Sequence, residues 1–218
     1  MARASGTSGG AMLPQRLMQG YRAYREKASG SQRVRFAGQA RAQQPQTMVI
    51  GCCDSRVAPE TIFDAEPGEL FVCRNIANLV PRSDSPMGDA SVAAALEYAV
   101  LALAVKHIVV LGHAGCGGIA AFARRAKPLS AQDYTGRWIA GIAEAQTRLP
   151  EKARGQTDYT TLLEQASVAT SLHHLRGYPC VATAVESEGL TLHGAHFDIR
   201  TGALALYDQN AARFIRVA

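Results

Sequence analysis

The segment His107-Ile-Val-Val-Leu-Gly-His-Ala-Gly-Cys-Gly-Gly118 decides the predicted fold, because it passes from an apolar run into a glycine-rich turn. The residues His107–Leu111 have the length and composition of a short buried strand, which Gly112 ends. The pair Gly117-Gly118 is typical of a turn that opens a helix. The segment therefore predicts a strand, a turn and a helix in succession, which is the repeating unit of α/β folds.

A second apolar run leads into a second cluster of reactive side chains. The strand predicted at Met48–Gly51 is followed directly by Cys52-Cys53-Asp54-Ser55-Arg56. The carboxyl ends of parallel strands meet at one edge of a sheet, where functional sites are usually found. We therefore expect Cys52 to lie close to His113 and Cys116.

These three side chains have the composition of a metal site. His113 and Cys116 are three residues apart across a strand-to-helix turn, and Cys52 would join them from the neighbouring strand end. Three protein ligands with one open position are typical of catalytic zinc, whereas structural zinc sites have four protein ligands. The sequence therefore predicts one Zn²⁺ per chain, bound by Cys52, His113 and Cys116.

Asp54 and Arg56 follow the first ligand at a spacing that suits a supporting role. Alternation along an extended chain places residues 52, 54 and 56 on one side and Cys53 on the other, where we expect a core thiol. Asp54 could then reach a metal-bound water molecule while Arg56 keeps the carboxylate ionised. The residues alone leave a second interpretation open, in which Cys52 and Cys116 are inert core thiols and Asp54 and Arg56 form a surface ion pair.

The rest of the chain alternates strands and helices. Further strands are predicted at Leu70–Cys73 and Val181–Val185, and Leu190–Ile199 with Ala203–Tyr207 is predicted as a hairpin. Helices are predicted at residues 90–104, 137–148 and 158–175. The first is apolar nearly all round and is therefore expected to be buried, and His173 and His174 are expected at a solvated helix end. Leu17, Tyr21, Tyr24 and Ala28 share one face of an amphipathic N-terminal helix. The fold class is α/β, with a mostly parallel sheet flanked by helices and an N-terminal helical arm.

Composition narrows the class of protein. The chain has 218 residues, 47% of them hydrophobic, and a formal net charge of +5 without a basic run, so a nucleic-acid partner is not expected. No apolar stretch reaches the length that crosses a bilayer, so no membrane partner is expected. Five cysteines, an odd number, argue against a disulfide framework and favour a reduced, cytoplasmic setting. We expect residues 1–11 to be a flexible leader and residues 12–218 to form a single catalytic domain.

At this point the motifs resemble those of the β-carbonic anhydrases, from about residue 14 to residue 213. The segments that carry the resemblance occur in family order: Ile50-Gly-Cys-Cys-Asp-Ser-Arg-Val57, Pro67-Gly-Glu-Leu-Phe-Val72, Arg74-Asn-Ile-Ala-Asn78, Gly112-His-Ala-Gly-Cys-Gly-Gly118, Leu192-His-Gly194 and Phe197-Asp-Ile199. The resemblance implies zinc-dependent, reversible hydration of CO2 to bicarbonate and a proton by zinc-hydroxide attack. It also implies a homodimer, or a higher oligomer of dimers, whose N-terminal helices embrace the partner.

Roles follow from the resemblance position by position. Cys52, His113 and Cys116 would bind zinc, and Asp54 and Arg56 would form a dyad that orients the zinc-bound water or hydroxide. The substrate pocket of the plant-like branch would be lined by Gln43, Phe71 and Tyr98, with Ile76 as an apolar wall. Part of that pocket would come from the partner subunit.

A further expectation concerns regulation. One branch of the family is shut off by bicarbonate bound in a non-catalytic pocket that is built from a Trp, an Arg and a Tyr. The corresponding positions here hold Val49, Arg74 and Phe197. The resemblance therefore implies the branch that is not locked by bicarbonate.

Two other functions remain open from the sequence. The same fold and metal could serve a carbon disulfide or carbonyl sulfide hydrolase, although Gln43, Phe71 and Tyr98 favour CO2. The adjacent Cys52 and Cys53 could instead belong to a zinc and thiol redox sensor. The dyad of Asp54 and Arg56 argues against the sensor, which would have no use for it.

Overall fold

The computed structural model describes residues 13–27, 40, 42–85 and 90–217. The chain divides into two compact units, Met1–Gln43 and Gln44–Ala218. In the first unit, helix α1 spans Gln15–Lys27, and its apolar side chains Leu17, Tyr21 and Tyr24 are exposed. The predicted amphipathic helix is therefore present, while Ala28 and the predicted leader lie outside the described residues.

The second unit contains a six-stranded sheet with the strand order β2-β1-β3-β4-β5-β6. The strands are β1 Thr47–Cys52, β2 Leu70–Asn75, β3 His107–His113, β4 Thr191–Asp198, β5 Ala203–Asp208 and β6 Arg213–Arg216. Strands β1 to β4 pair in parallel, and β5 and β6 are antiparallel additions at one edge. The predicted hairpin of β4 and β5 is confirmed, whereas β6 was not predicted.

Helices cover the sheet. They are α2 Pro59–Ile62, α3 Ala90–Glu97, α4 Gly117–Ala123, α5 Tyr134–Ile139, α6 Ile142–Thr147, α7 Tyr159–Leu175 and α8 Pro179–Ser187. No helix among the described residues combines the length and the apolar character needed to span a bilayer. The predicted α/β class, with a mostly parallel sheet flanked by helices, is confirmed.

The register of the sheet determines where the reactive side chains lie. Strand β1 ends at Cys52, which pairs with Asn75 at the end of β2. On its other side β1 pairs with β3, with Gly51 opposite Leu111, so His113 extends just beyond this pair. The carboxyl ends of β1 and β3 therefore present Cys52 and His113 at one edge, as the sequence predicted.

The strand predicted at Val181–Val185 is wrong, because these residues lie in helix α8. Pro179 stands in the first turn, where the missing N–H of proline is not needed, and Tyr178 precedes it in an extended conformation. Val181 and Ala184 are buried three positions apart, which is a helical spacing. A short apolar run does not by itself distinguish a strand from a buried helix.

The helix predicted at residues 90–104 is shorter and less buried than expected. Helix α3 ends at Glu97 and continues as a wider turn over Tyr98–Ala102. Val92 and Leu96 are fully buried, but Tyr98 and Leu101 are 50% and 66% exposed. The expectation of burial all round was wrong, and one side of this segment is an apolar surface.

Candidate metal centre

Three potential ligands meet at the carboxyl edge of the sheet. The Sγ atoms of Cys52 and Cys116 and a ring nitrogen of His113 all lie within 4.8 Å of one another, and all three residues are buried. The two Sγ atoms are 4.0 Å apart. Two ligands bound to tetrahedral zinc at about 2.3 Å each stand at about this separation. The predicted trio is therefore brought together.

The orientation of His113 supports a metal role. Its side chain is fully buried, and Nδ1 lies 3.1 Å from the carbonyl oxygen of Ala114, to which it can donate. Its Nε2 is buried and has no hydrogen-bond partner among the described residues. An unpartnered polar atom in the interior is costly, so this nitrogen needs an occupant. An imidazole whose Nδ1–H is held by a carbonyl presents a lone pair on Nε2, as a metal ligand does. The residues present therefore fit zinc.

The two thiols of the centre affect one another strongly. The contact with Cys116 lowers the pKa of Cys52, and the nearby imidazole of His113 and the backbone of Asp54 and Ala77 act in the same direction against burial. The same contact with Cys52, together with burial, raises the pKa of Cys116. Without a metal, ionisation of the Cys52 thiol is thus favoured, and ionisation of the Cys116 thiol beside it is opposed. A divalent cation removes this opposition, because it stabilises both thiolates.

Asp54 and Arg56 form the predicted pair beside the ligands. Arg56 Nε and Nη2 donate to the two carboxylate oxygens of Asp54 at 2.9 and 2.6 Å, and the Arg56 backbone N–H adds a third bond at 3.0 Å. This hydrogen bonding to Arg56 holds the pKa of Asp54 well below its usual range. Asp54 Oδ2 lies 3.9 Å from His113 Nε2, so the carboxylate borders the position that a bound metal would take.

A second arginine, whose structural role the sequence did not reveal, supports the loop after β1. Arg74 Nε donates to the carbonyl oxygen of Cys52 at 2.8 Å, and its Nη2 donates to the carbonyls of Asp54 and Val57 at 2.7 and 2.8 Å. Charge-assisted bonds of this kind are stronger than neutral ones. Arg74 therefore holds the backbone that carries both Cys52 and Asp54.

The turn after β2 closes the other side of the centre. Ala77 has a φ of 65° and Asn78 a φ of 47°, values that cost energy in residues other than glycine. The Asn75 side chain brackets this turn, because it donates to the Leu79 carbonyl at 2.9 Å and accepts from the Leu79 N–H at 2.8 Å. The strain is thus maintained at a segment whose backbone at Ala77 helps to lower the pKa of Cys52.

Ile76 opens this turn and lies beside the centre. A Cβ added at Gly118, in the first turn of α4, would stand only 2.8 Å from Ile76 Cγ2. Glycine at position 118 is therefore required by close packing. Trp138 Nε1 donates to the Ile76 carbonyl at 2.7 Å and fixes the turn from outside.

The structure does not bring Phe71 and Tyr98 to the centre of their own chain. Their rings contact each other, with centroids 5.9 Å apart. Phe71 pairs with Met48, four positions before Cys52 along β1. At about 3.3 Å per residue, the two positions are separated by about 13 Å along the sheet. Gln43, the third predicted pocket residue, is exposed and belongs to the N-terminal unit.

Two minor expectations are wrong. Cys53 is exposed and is not a core thiol, because the chain turns directly after β1 instead of continuing as an extended strand. His174 is buried and not solvated: its Nε2 lies 3.0 Å from Glu144 Oε2, and its Nδ1 lies 2.7 Å from the Val80 carbonyl.

Comparisons with known proteins agree with this geometry. A family model described as carbonic anhydrase matches residues 47–204. A carbonic anhydrase of Pseudomonas aeruginosa is 36% identical over 204 residues, which cover 93% of this chain and 91% of that protein. The solved β-carbonic anhydrase CcaA has a TM-score of 0.81 at 28% identity, with 94% and 92% of the two chains covered. One of two tetrameric β-carbonic anhydrases from the ascomycete Sordaria macrospora has a TM-score of 0.73 at 30% identity, with 93% and 94% covered.

Proposed function

The chain belongs to the β-carbonic anhydrases, and from this premise we propose that it is a zinc lyase that hydrates CO2 reversibly to bicarbonate and a proton. The observation that carries the proposal is the buried cluster of Cys52, His113 and Cys116 with the Asp54 carboxylate at its border. Zinc bound there would acidify the attacking water molecule and make it nucleophilic at moderate pH.

Asp54 and Arg56 would orient that water molecule. The lowered pKa of Asp54 keeps its carboxylate ionised, so Oδ2 can accept a hydrogen bond and direct the water's lone pair towards the substrate. Arg56 occupies both oxygens of Asp54 and also donates to the Gly115 carbonyl at 3.2 Å. This restraint would keep the carboxylate from becoming a fourth zinc ligand, which would close the site.

The substrate pocket would be completed by a second copy of the chain. Ile76 is 40% exposed beside the centre, whereas Phe71 and Tyr98 lie too far along the sheet to face their own ligands. The exposed side chains of Tyr98 and Leu101 offer an apolar surface for such contact. We therefore propose a homodimer or a larger assembly, located in the cytoplasm, in which Phe71, Tyr98 and Gln43 line pockets that two chains share.

The decisive experiment is stopped-flow CO2 hydration by protein as purified, after zinc removal with a chelator, and after zinc is restored. Activity should disappear with the metal and return with it. Full activity of zinc-free protein would contradict the proposal. Zinc-loaded protein that ignores CO2 but hydrolyses carbonyl sulfide or carbon disulfide would favour the second enzyme class. A protein that only loses zinc on oxidation of Cys52 and Cys53 would favour the redox sensor.

Sharing of the pocket has its own test. Cys52→Ser should abolish the zinc centre, and Tyr98→Ala should damage the pocket wall that the chain lends to its partner. Unfolding and refolding a mixture of the two variants should produce some dimers with one intact site, and activity should exceed that of either variant alone. If the pocket lies within one chain, the refolded mixture will show only the sum of the separate activities.

A further inference from the structure

The buried carboxyl group of Glu164 contacts the backbone of a proposed zinc ligand. Glu164 lies on α7 and is 3% exposed. Its Oε1 accepts a hydrogen bond from the backbone N–H of Cys116 at 3.0 Å, and its Oε2 lies 3.1 Å from His196 Nε2. Both oxygens are therefore used. A carboxyl group is costly to bury and is tolerated in an interior where such partners satisfy it.

The Cys116 N–H needs an acceptor that its own helix does not supply. Cys116 precedes α4 in an extended conformation, with φ −64° and ψ 120°. N–H groups at the start of a helix lack intrahelical partners, and Cys116 is almost completely buried. Glu164 satisfies this N–H. The direction of the Cα–Cβ bond follows the backbone orientation, so the same hydrogen bond constrains where Cys116 Sγ points.

The second partner ties this arrangement to the sheet. His196 lies on β4 opposite Gly112, one position from the pair that Phe197 forms with His113. An added Cβ at Gly112 would stand 2.6 Å from Val168 Cγ2, so α7 packs directly on the strand that carries His113. Glu164 thus joins α7, the turn at Cys116 and strand β4 within one buried contact.

We propose that Glu164 and His196 are positioning residues that hold Cys116 in its ligating orientation and thereby slow the release of zinc. The inference rests on the zinc centre of the proposed function. Neither residue is proposed to touch the substrate. Groups that hold metal ligands typically contribute about 10- to 100-fold to metal affinity.

The chain provides a matched control. Glu144 Oε2 lies 3.0 Å from Nε2 of the buried His174, which is nearly the same contact as that of Glu164 with His196. The described contacts of Glu144 are with His174, Arg148 and Thr147, none of which is a proposed ligand. If losing any carboxylate–imidazole contact speeds zinc release, variants of Glu144 and Glu164 should both release zinc faster. If the positioning of Cys116 is what matters, only the Glu164 variants should do so.

The experiment measures the rate of zinc release to a chromogenic chelator for the wild type, Glu164→Ala, Glu164→Gln, His196→Gln and Glu144→Ala. Glu164→Ala should release zinc at least about 10-fold faster. Glu164→Gln should restore most of the retention, because its amide oxygen can still accept the Cys116 N–H. The release rate of His196→Gln should lie between those of Glu164→Ala and Glu164→Gln, and the release rate of Glu144→Ala should match that of the wild type.

A second readout does not depend on turnover. Cobalt substituted for zinc reports thiolate coordination through its charge-transfer band, which should weaken or shift in Glu164→Ala and recover in Glu164→Gln. Equal release rates and spectra for Glu164→Ala and Glu144→Ala would overturn the proposal, as would a Glu164→Gln variant as defective as Glu164→Ala. If the wild type itself binds no zinc, the proposed function fails; if the wild type binds zinc and the Glu164 variants retain it equally well, only this inference fails.

Discussion

Strand β3 begins and ends with a histidine, and the two side chains differ in every respect that matters for chemistry. His107 is exposed at the amino end, and its Nδ1 lies 2.7 Å from the hydroxyl of Thr191. Its ring also lies 5.6 Å from that of His193. His113 at the carboxyl end is fully buried, faces two thiols and has an unpartnered Nε2.

The comparison teaches that residue type alone does not identify a ligand. Both ends of β3 place imidazoles near other polar side chains, but the exposed imidazoles of His107 and His193 at the amino end both contact the Thr191 hydroxyl. At the carboxyl end no water reaches the nitrogen freely, and an unpartnered buried group is tolerated only where something binds it. Burial without a partner therefore separates the proposed metal ligand from the ordinary surface histidine.

The largest contrast should be in metal content. His113→Ala removes a buried, proposed ligand, so zinc measured by elemental analysis should fall to near zero, as it should for Cys52→Ser and Cys116→Ser. His107→Ala should retain about one zinc per chain, because it lies at the opposite end of the strand. Full occupancy in any of the three ligand variants would remove that residue from the centre.

The next contrast concerns two ion pairs of like geometry. Arg56 pairs with Asp54, and Arg82 pairs with Asp84 through bonds of 3.0 and 3.2 Å, but of these two carboxylates only Asp54 borders the proposed ligands. Asp54→Ala should reduce the rate of CO2 hydration by at least about 100-fold while zinc stays bound. Asp84→Ala should leave the rate unchanged.

The double variant of the proposed dyad sharpens this test. Because Asp54 and Arg56 are proposed to act as a unit, removing both should cost little more than removing one. Losses that multiply would show that the two side chains act separately. Loss of zinc from either single variant would instead place that residue in metal binding.

The pH dependence of activity should reflect an ionisation at the proposed metal centre and not the ionisation of Asp54. Hydrogen bonding to Arg56 lowers the pKa of Asp54, so this carboxylate loses its charge only in strong acid and does not titrate near neutrality. Hydration should rise with pH to a midpoint above neutrality, because zinc bound by the two proposed thiolate ligands would acidify its water molecule less strongly. Initial rates from mildly acidic to alkaline buffers would measure this. A flat profile, or a midpoint moved by Asp84→Ala, would contradict the assignment.

Local signals explain how much of the site was predictable. Cys52 and His113 each follow a short apolar run, and parallel strand ends converge, so the trio could be expected from sequence alone. The pair of Asp54 and Arg56 is also local, being two residues apart. These parts depend on neighbouring residues and on one general rule of sheet topology.

Other parts depend on contacts between distant positions. Glu164 contacts Cys116 from 48 residues away and His196 from 32 residues away, and no local pattern marks such a pair. The segment Val181–Val185 predicts a strand because four of its five residues are apolar, a composition that suits a short strand and a buried helix equally well. The sequence around Glu164 shows only an acidic residue within an amphipathic helix, and most acidic residues in such helices lie on the solvent-exposed face.

A smaller effect on the hydration rate is expected from added bicarbonate, because residues that a regulatory bicarbonate pocket needs are missing. Val49 is almost completely buried, and the guanidinium of Arg74 bonds to three backbone carbonyls. Phe197 has no hydroxyl to complete an anion pocket. Initial hydration rates near neutral pH, at fixed ionic strength, should therefore show simple product inhibition by added bicarbonate. Steep, cooperative inhibition that disappears at higher pH would show that a regulatory pocket exists and would place the protein outside the plant-like branch.

The smallest effect is expected at the amino end of the sheet, where His193 lies beside His107. Partial burial, together with the nearby His107, lowers the pKa of the largely exposed His193 from its ordinary 6.5. The unfolded chain then binds a proton more readily than the folded one, so this contribution to stability is complete above about 6.5 and is lost as the pH falls towards the folded-state value. His193→Asn removes this titration. The melting temperature of the variant minus that of the wild type should therefore be larger in mild acid than in mild alkali. The change should be no more than about 2 °C, because the side chain is exposed. A difference that is the same at both pH values would show that protonation of His193 does not contribute to the stability of the fold.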